Sequence, residues 1–233
     1  MSNSKTSLTA KRIKTNPSFQ RTRENMSEFG HAAQTGKLLR YAFAPWLDSI
    51  IHPRLSADLL KTLLSVIQSD TTNSRGQRNI INANLALLEQ FEFNKKKQHL
   101  ATAFPLTISK MKLKKYIGLS MRTVRQKDLF PAVPPYATHV KVHPVLVAIN
   151  PGQKAVQSFY PSSAKPVSIL EECIPQEAFT AEITIPFPAI VIVTLFVEFS
   201  NCVNYQYEAI RAEGRNSLTI IKAFIVNPKN QKP

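Results

Sequence analysis

An α+β fold is expected from this sequence: a basic N-terminal arm and about three short helices, followed by an antiparallel β-sandwich or partial barrel. Two observations point there. Apolar residues recur at helical spacing as far as Phe91, whereas beyond Phe93 that period fades and Pro and β-branched residues rise. With 233 residues, 43% of them hydrophobic, the chain can bury a sizeable core, which excludes a disordered polypeptide, a disulfide-dense mini-protein and a coiled-coil rod.

Residues 1–27 are polar, basic and without period, and read as an extended arm. Residues 28–94 form the helical region. Ser27-Glu28-Phe29-Gly30 offers an N-cap, and Ala32, Ala33, Leu38, Leu39 and Ala42 suit a first helix that stops before Pro45. A second helix is expected from about Arg54 to Ser69, with Leu55, Leu59, Leu63 and Val66 in one stripe widened by Leu60, Leu64 and Ile67. Asp70 to Gly76 is a polar loop. A third helix is expected from about Gln77 to Phe91, burying Ile80, Ala83, Leu87 and Phe91.

Residues 95–233 form the β domain, with candidate strands Leu100–Ile108, His139–Ile149, Val167–Leu170, Phe179–Ile185, Ile190–Ser200, Val203–Ile210 and Leu218–Val226. Ile190–Ser200 is apolar on both parities, which fits a strand covered on both sides. Pro144 interrupts its strand and points to an edge position or a bulge. Asn201 and Gly214 punctuate the last three strands into a meander of two hairpins.

The most hydrophobic window, Ile183–Phe199, contains Pro186, Pro188 and Glu198, and falls short of the roughly 20 apolar residues a spanning helix needs. No membrane span is expected. The first 16 residues hold no apolar run of the signal-peptide kind, so the expected location is the cytoplasm. Cys173 and Cys202 belong to no CxxC motif and read as two small apolar side chains of a reduced protein.

Catalytic motifs do not survive inspection. Gly30 to Lys37 superficially resembles a phosphate-binding loop, but five residues separate Gly30 from Gly36, Leu38 follows the Lys, and no strand precedes it. His139 and His143 would share a strand face about 13 Å apart, too far to ligate one ion, and read as solvent-facing strand histidines. No GxSxG motif or sequence-tied Cys–His or Ser–His pair is present, and Glu171-Glu172 sits in a Pro-bounded loop. The expectation is a non-enzyme with no catalytic residue, metal, cofactor or small-molecule substrate.

Charge is the informative feature. The chain carries 30 Lys+Arg against 15 Asp+Glu, a net +15. Residues 1–40 and 101–135 hold +6 each, whereas residues 136–233 hold only +1. The first cluster comprises Lys11, Arg12, Lys14, Arg21, Arg23, Lys37 and Arg40, with Arg75 and Arg78 as a satellite at the entry to the third expected helix, where free N–H groups would add positive potential. The second runs through Lys95-Lys96-Lys97, Lys110, Lys112, Lys114, Lys115, Arg122, Arg125 and Lys127. Phe19 and Phe29 are interleaved with the first cluster, and Phe91, Phe93, Phe104, Tyr116 and Phe130 with the second. Cations with accessible rings suit a phosphate backbone with unstacked bases, so a polyanion partner is expected.

The segments Asn16-Pro17-Ser18-Phe19, Arg21-Thr22-Arg23-Glu24-Asn25, Ser27-Glu28-Phe29-Gly30 and Gly36-Lys37-Leu38-Leu39-Arg40 resemble an uncharacterised bacterial protein family. Asp70-Thr71-Thr72, Arg75-Gly76-Gln77-Arg78-Asn79 and Phe91-Glu92-Phe93-Asn94 are similar to it as well, so the resemblance covers about residues 14–94. It implies an intracellular, two-part protein and supplies no catalytic or binding residue.

Two functional expectations follow. The first is a non-enzymatic protein that contacts nucleic-acid backbone without strong sequence specificity, since no helix-turn-helix, zinc-finger, RRM or KH signature is present. The second is a self-assembling shell, tube or coat-like subunit, a homo-oligomer with a basic arm and a β-sandwich core.

Overall fold

In the computed structural model, residues 9–94, 105–110, 115–130, 133–211 and 215–227 are described. Helices α1 (Ala10–Thr15), α2 (Gln20–Ala42), α3 (Ala44–Leu47) and α4 (Leu55–Gln68) come first, with 3-10 turns at Pro17–Phe19, Ile80–Asn82 and Leu85–Leu88. Then follow β1 (Leu106–Lys110), β2 (Tyr116–Met121), β3 (Val124–Arg125), α5 (Gln126–Leu129), β4 (His139–Asn150), β5 (Ala155–Phe159) and β6 (Val167–Ser168). The chain continues through β7 (Cys173–Ile174), β8 (Glu177–Glu182), β9 (Ala189–Val203), β10 (Gln206–Ala209) and β11 (Ser217–Val226). This is an α+β protein whose described strand pairings are all antiparallel.

The main sheet has the order β10-β9-β4-β5, with β11 also beside β9 and β6 beside β4, and a second sheet has the order β1-β2-β8. Strand β9 is apolar on both parities because both its faces are covered. Ile190, Ile192 and Phe196 join Val145, Val147 and Ile149 of β4 in one core with Leu39 of α2 and Leu59, Leu63, Val66 and Ile67 of α4. The opposite parity, Val191 and Val193 with Leu146 and Ala148, packs on Ile117, Leu119 and Ala181 of the second sheet. Farther along that face, Leu195, Val197 and Phe199 meet Met121, Phe130 and Ile174. The layers are therefore helices, main sheet, second sheet.

Helix α4 forms as expected, its buried Leu59, Leu63, Val66 and Ile67 recurring at helical spacing. It lies close to α2 because Gly36 has no side chain: a Cβ there would stand 3.3 Å from Leu63 Cδ1. Residues 10–27, expected as an extended arm, are instead largely helical, since α2 starts at Gln20 and α1 precedes it. The third expected helix is replaced by two 3-10 turns. Asn79 Oδ1 accepts from the N–H groups of Ile81 and Asn82, and Asn84 Oδ1 from that of Ala86, so each Asn caps a fresh turn. Leu85 and Leu88 are buried in consequence, whereas Leu87 is 48% exposed.

Two polar side chains tie the layers together. Buried Asn216 accepts from the Phe199 N–H (2.9 Å) and donates to Ser49 O (2.8 Å) and Ile210 O (3.0 Å). Buried Glu92 accepts from the Ser217 hydroxyl (2.8 Å), the Thr219 hydroxyl, and the N–H groups of Leu218 and Asn94 (both 3.1 Å). Desolvation outweighs those bonds and raises its pKa above the usual carboxylate value. Backbone bonds Phe93 N to Leu218 O and Ile220 N to Phe91 O, both 2.9 Å, lay this segment along the edge of β11 and shield it.

Two expectations in the β region are revised, and the edge position expected for Pro144 holds only locally. β11 returns to β9, pairing Ser217 with Val197 through Val226 with Ala189, so the last strands are not a simple meander. The β9–β10 hairpin turns at Asn204-Tyr205, both at positive φ, rather than at Asn201. Pro144 lies in an interior strand, paired with Leu195. It is tolerated because β5 pairs only residues 146–150 of β4 and β6 only residues 139–140, which leaves the other edge open at Pro144 among the described residues. Of the expected strand from Leu100, residues 100–104 lie outside the described residues. Cys173 and Cys202 are free thiols, each half-buried.

His143 is not solvent-facing. It is 1% exposed, among the rings of Trp46, Tyr160 and Phe196. Burial, reinforced by the charge of Lys141, lowers its pKa to about 4. The unfolded chain, with an ordinary histidine near 6.5, therefore takes up that proton first. The stability this histidine contributes is complete above pH 6.5 and lost as pH falls toward 4, by up to about 3 kcal/mol. Chemical denaturation across pH 4–7 should show a shallower slope for His143→Gln than for the parent chain; equal slopes would remove His143 as the cause.

Candidate polyanion-binding surface

The first basic cluster is assembled around the N-terminal half of α2. Thr9 caps α1, its hydroxyl accepting from the Arg12 N–H at 3.3 Å. Arg23 then docks α1 and the following 3-10 turn onto α2 by donating from Nη1 to Ile13 O (2.7 Å) and Asn16 O (2.9 Å). Ile13 O lies in the last turn of α1, where carbonyls run out of helical donors, and Asn16 O also accepts from the Phe19 N–H at 3.1 Å, so a guanidinium with several donors suits the position. Lys11 and Lys14 remain exposed, and Arg12 half-buried.

Two buried carboxylates shape the loop after α4, Asp70 within it and Glu28 between it and α2. Asp70 accepts from the N–H groups of Thr72 (2.8 Å), Asn73 (3.1 Å) and Asn79 (3.1 Å), and from Asn73 Nδ2 (2.7 Å). Desolvation opposes its ionisation, but these four bonds together prevail and hold the pKa below the ordinary value. Glu28 of α2 accepts from the Gly76 N–H at 2.9 Å, with Arg78 Nη1 at 3.9 Å. Of the N–H groups expected to add positive potential here, those of Gly76 and Asn79 are thus engaged by carboxylates and that of Gln77 by Ser74 O, and no third helix starts at this point.

Between α2 and the loop lies a groove of about 570 Å³ lined by Arg21, Arg23, Arg75, Glu24, Ser27 and Gln77, among others. Glu24 Oε2 sits 3.0 Å from Arg21 Nη1 and 3.7 Å from Arg75 Nε. Arg75 Nη2 also donates to Asn25 Oδ1 at 2.7 Å. Desolvation works against ionisation of Glu24, but hydrogen bonds from Gln20 and Arg21 and the charges of Arg21 and Arg75 outweigh it and lower its pKa. The groove is therefore lined by three arginines, two of which, Arg21 and Arg75, flank one ionised carboxylate, while Arg23 uses Nη1 to dock α1.

The remaining predicted residues are elsewhere. Lys37 and Arg40 lie toward the far end of α2; Lys37 is about 21 Å along the axis from Arg23 at 1.5 Å per residue. Lys115 bridges Glu182 and stands over the Tyr116 ring at 5.1 Å, and Arg125 is 3.7 Å from Asp128. The Glu182 bond raises the Lys115 pKa. These two and exposed Arg122 belong to the layer on the opposite side of the main sheet from the helices. Lys112 and Lys114 lie outside the described residues, as do Lys95-Lys96-Lys97 and Phe104. Of the interleaved aromatics, Phe93 and Phe130 are core residues, while Phe29 is exposed.

Glu24, Glu28 and Asp70 organise this surface, and sequence reasoning weighed only the cations. The signal available was Asp70-Thr71-Thr72-Asn73, whose leading acid and short polar followers are the composition of a side-chain-capped turn. Among the described residues, no group of three or more His, Cys, Asp or Glu side chains is placed to hold a metal ion, and no helix is long and apolar enough to cross a membrane. Compared with family models, with curated proteins and with solved structures, the chain matches none.

Gly76 sets how closely the loop meets α2. Its φ is +83°, and a Cβ there would fall 2.9 Å from Glu24 Cγ and 3.0 Å from Glu24 Cα. Gly76→Ala should therefore cost about 1–2 kcal/mol for the left-handed backbone alone, plus the displacement of Glu24. Thermal melting should show a fall of about 3–8 °C. Gly30→Ala, at a helical site with nothing within 4 Å of the added Cβ, is the control and should melt no lower than the parent.

Proposed function

We propose that this protein is a non-enzymatic binder of nucleic-acid backbone, acting without strong sequence specificity through the surface formed by α1, the N-terminal half of α2 and the 74–78 loop. The observation that carries the reading is the convergence of Arg21, Arg23 and Arg75 on one groove against the single carboxylate of Glu24. Helix α1 adds Lys11, Arg12 and Lys14 without any acid, since Glu24 is the first acidic residue of the chain. Guanidinium groups that share one carboxylate keep N–H donors for phosphate oxygens, and phosphate contacts are sequence-independent. The reading centres on the first cluster, because Lys115 and Arg125 are already paired with acids.

Filter binding of a single-stranded oligonucleotide across a salt series tests this. Affinity should fall steeply with salt, and Lys11→Glu/Lys14→Glu, two exposed positions, should flatten the log–log slope by about 1.4, which is about 0.7 for each phosphate no longer neutralised. Affinity that barely responds to salt would overturn the reading.

A second reading, a self-assembling structural subunit, draws on the β9–β10 hairpin. Val203, Tyr205 and Tyr207 are exposed there, Tyr205 at 97%, and among the described residues β10 pairs only with β9. An open edge with exposed rings invites augmentation by another copy. Sedimentation of nuclease-treated protein should then show concentration-dependent assembly that Tyr205→Lys weakens, whereas a clean monomer at high concentration would count against it.

A further inference from the structure

One helical turn farther along α2, the same helix and the same loop form the walls of a second cavity, of about 420 Å³. Ser27 lines the basic groove and His31 this cavity, four residues or about 6 Å of helical rise apart; on the loop, Gln77 lines the groove and Asn79, two residues on, the cavity. The third wall is the β4–β5 turn. The character of the lining changes over that short distance. Ile80, Ile81 and Pro151 supply apolar surface, and no carboxylate among the described residues lines the cavity.

The polar groups at this site are few and incompletely used. Gln34 Nε2 donates to Pro151 O at 2.5 Å, which leaves Oε1 without a protein partner among the described residues. His31 Nδ1 meets Arg78 O at 3.1 Å, so Nε2 is the nitrogen left over. The exposed Lys154 ammonium has no acid partner among the described residues, and its backbone sits at φ +53° at the end of the turn.

We propose that this cavity holds one unstacked nucleobase of a single strand whose phosphates lie in the neighbouring basic groove, an inference that rests on the backbone-binding reading above. A nucleobase has an apolar face to set against Ile80, Ile81 and Pro151, and an edge of donors and acceptors to meet Gln34 Oε1, Lys154 Nζ and His31 Nε2. The cation and the lack of any acid suit a ligand attached to phosphate. A base stacked and paired within a duplex cannot enter a concave site without leaving the stack, so the arrangement selects single strands.

Fluorescence anisotropy of the full chain with a fluorescein-labelled single-stranded oligonucleotide, an abasic strand of equal length and the corresponding duplex tests this. The intact strand should bind about tenfold more tightly than the abasic strand, and more tightly than the duplex. Ile81→Trp, which fills the cavity, should abolish that ratio while leaving the salt slope unchanged. Lys154→Asn removes the ammonium, keeps a residue that tolerates positive φ, and should reduce the ratio; on an exposed turn, it keeps the test open should Ile81→Trp fail to fold. Equal binding of intact and abasic strands with a steep salt slope would overturn the cavity proposal and leave the groove standing. Failure of every strand to bind at low salt would overturn both.

Discussion

Burial of β9 on both faces is the constraint from which the rest of the architecture follows. Its ladder with β4 runs from Ser200 paired with His139 to Ile190 paired with Ile149, and most side chains along it are apolar and buried. A strand of that composition cannot stand at a surface, so a layer must close each side. The helices close one side through Leu39, Leu59, Leu63 and Ile67, and the second sheet closes the other through Ile117, Leu119 and Ala181. Truncating a side chain in such a packed layer typically costs about 2–5 kcal/mol, so the two outer layers are bound to the fate of the central pair.

Apolar burial gives little directional information, and here a few buried polar groups supply it. Asn216 joins Ser49, Phe199 and Ile210, which fixes the helical layer against the end of the main sheet. Glu92 clasps the start of β11 by its backbone and its hydroxyls. Asp70 folds the loop of residues 70–79 on itself, and Glu28 holds that loop against α2. A buried acceptor without its donors is costly, so each carboxylate admits few alternative arrangements. The basic groove is a product of those constraints: it exists because Glu28 and Gly76 bring one arginine-bearing segment against another.

Much of the fold was legible because it follows from period. The stripe of α4, the two-faced β9 and the long β4 lie within a residue or a few of where sequence spacing puts them. Errors arose where local chemistry outweighed periodicity. Asn79 and Asn84 restart capped turns and prevent one continuous helix. Residues 10–27 show no apolar period, yet Arg23 supplies the carbonyl partners that let α1 pack as a helix. Strands β2 and β5 were missed because β2 carries Gly118 and a run buried on both parities, and β5 is short with polar Gln157 and Ser158.

For the candidate site, sequence alone determined the excess of cations before residue 136 and the absence of acids before Glu24. Counting charge requires no geometry. Only the tertiary structure decided which cations share a surface, since Arg75 meets Arg21 and Arg23 through a loop closure spanning about 50 residues, whereas Lys115 and Arg125 fall across the main sheet from them. The physical reason is that electrostatic attraction depends on separation in space. The acids that neutralise a charge, or draw it into a groove, are partners chosen by the packing of the layers and not by their neighbours along the chain.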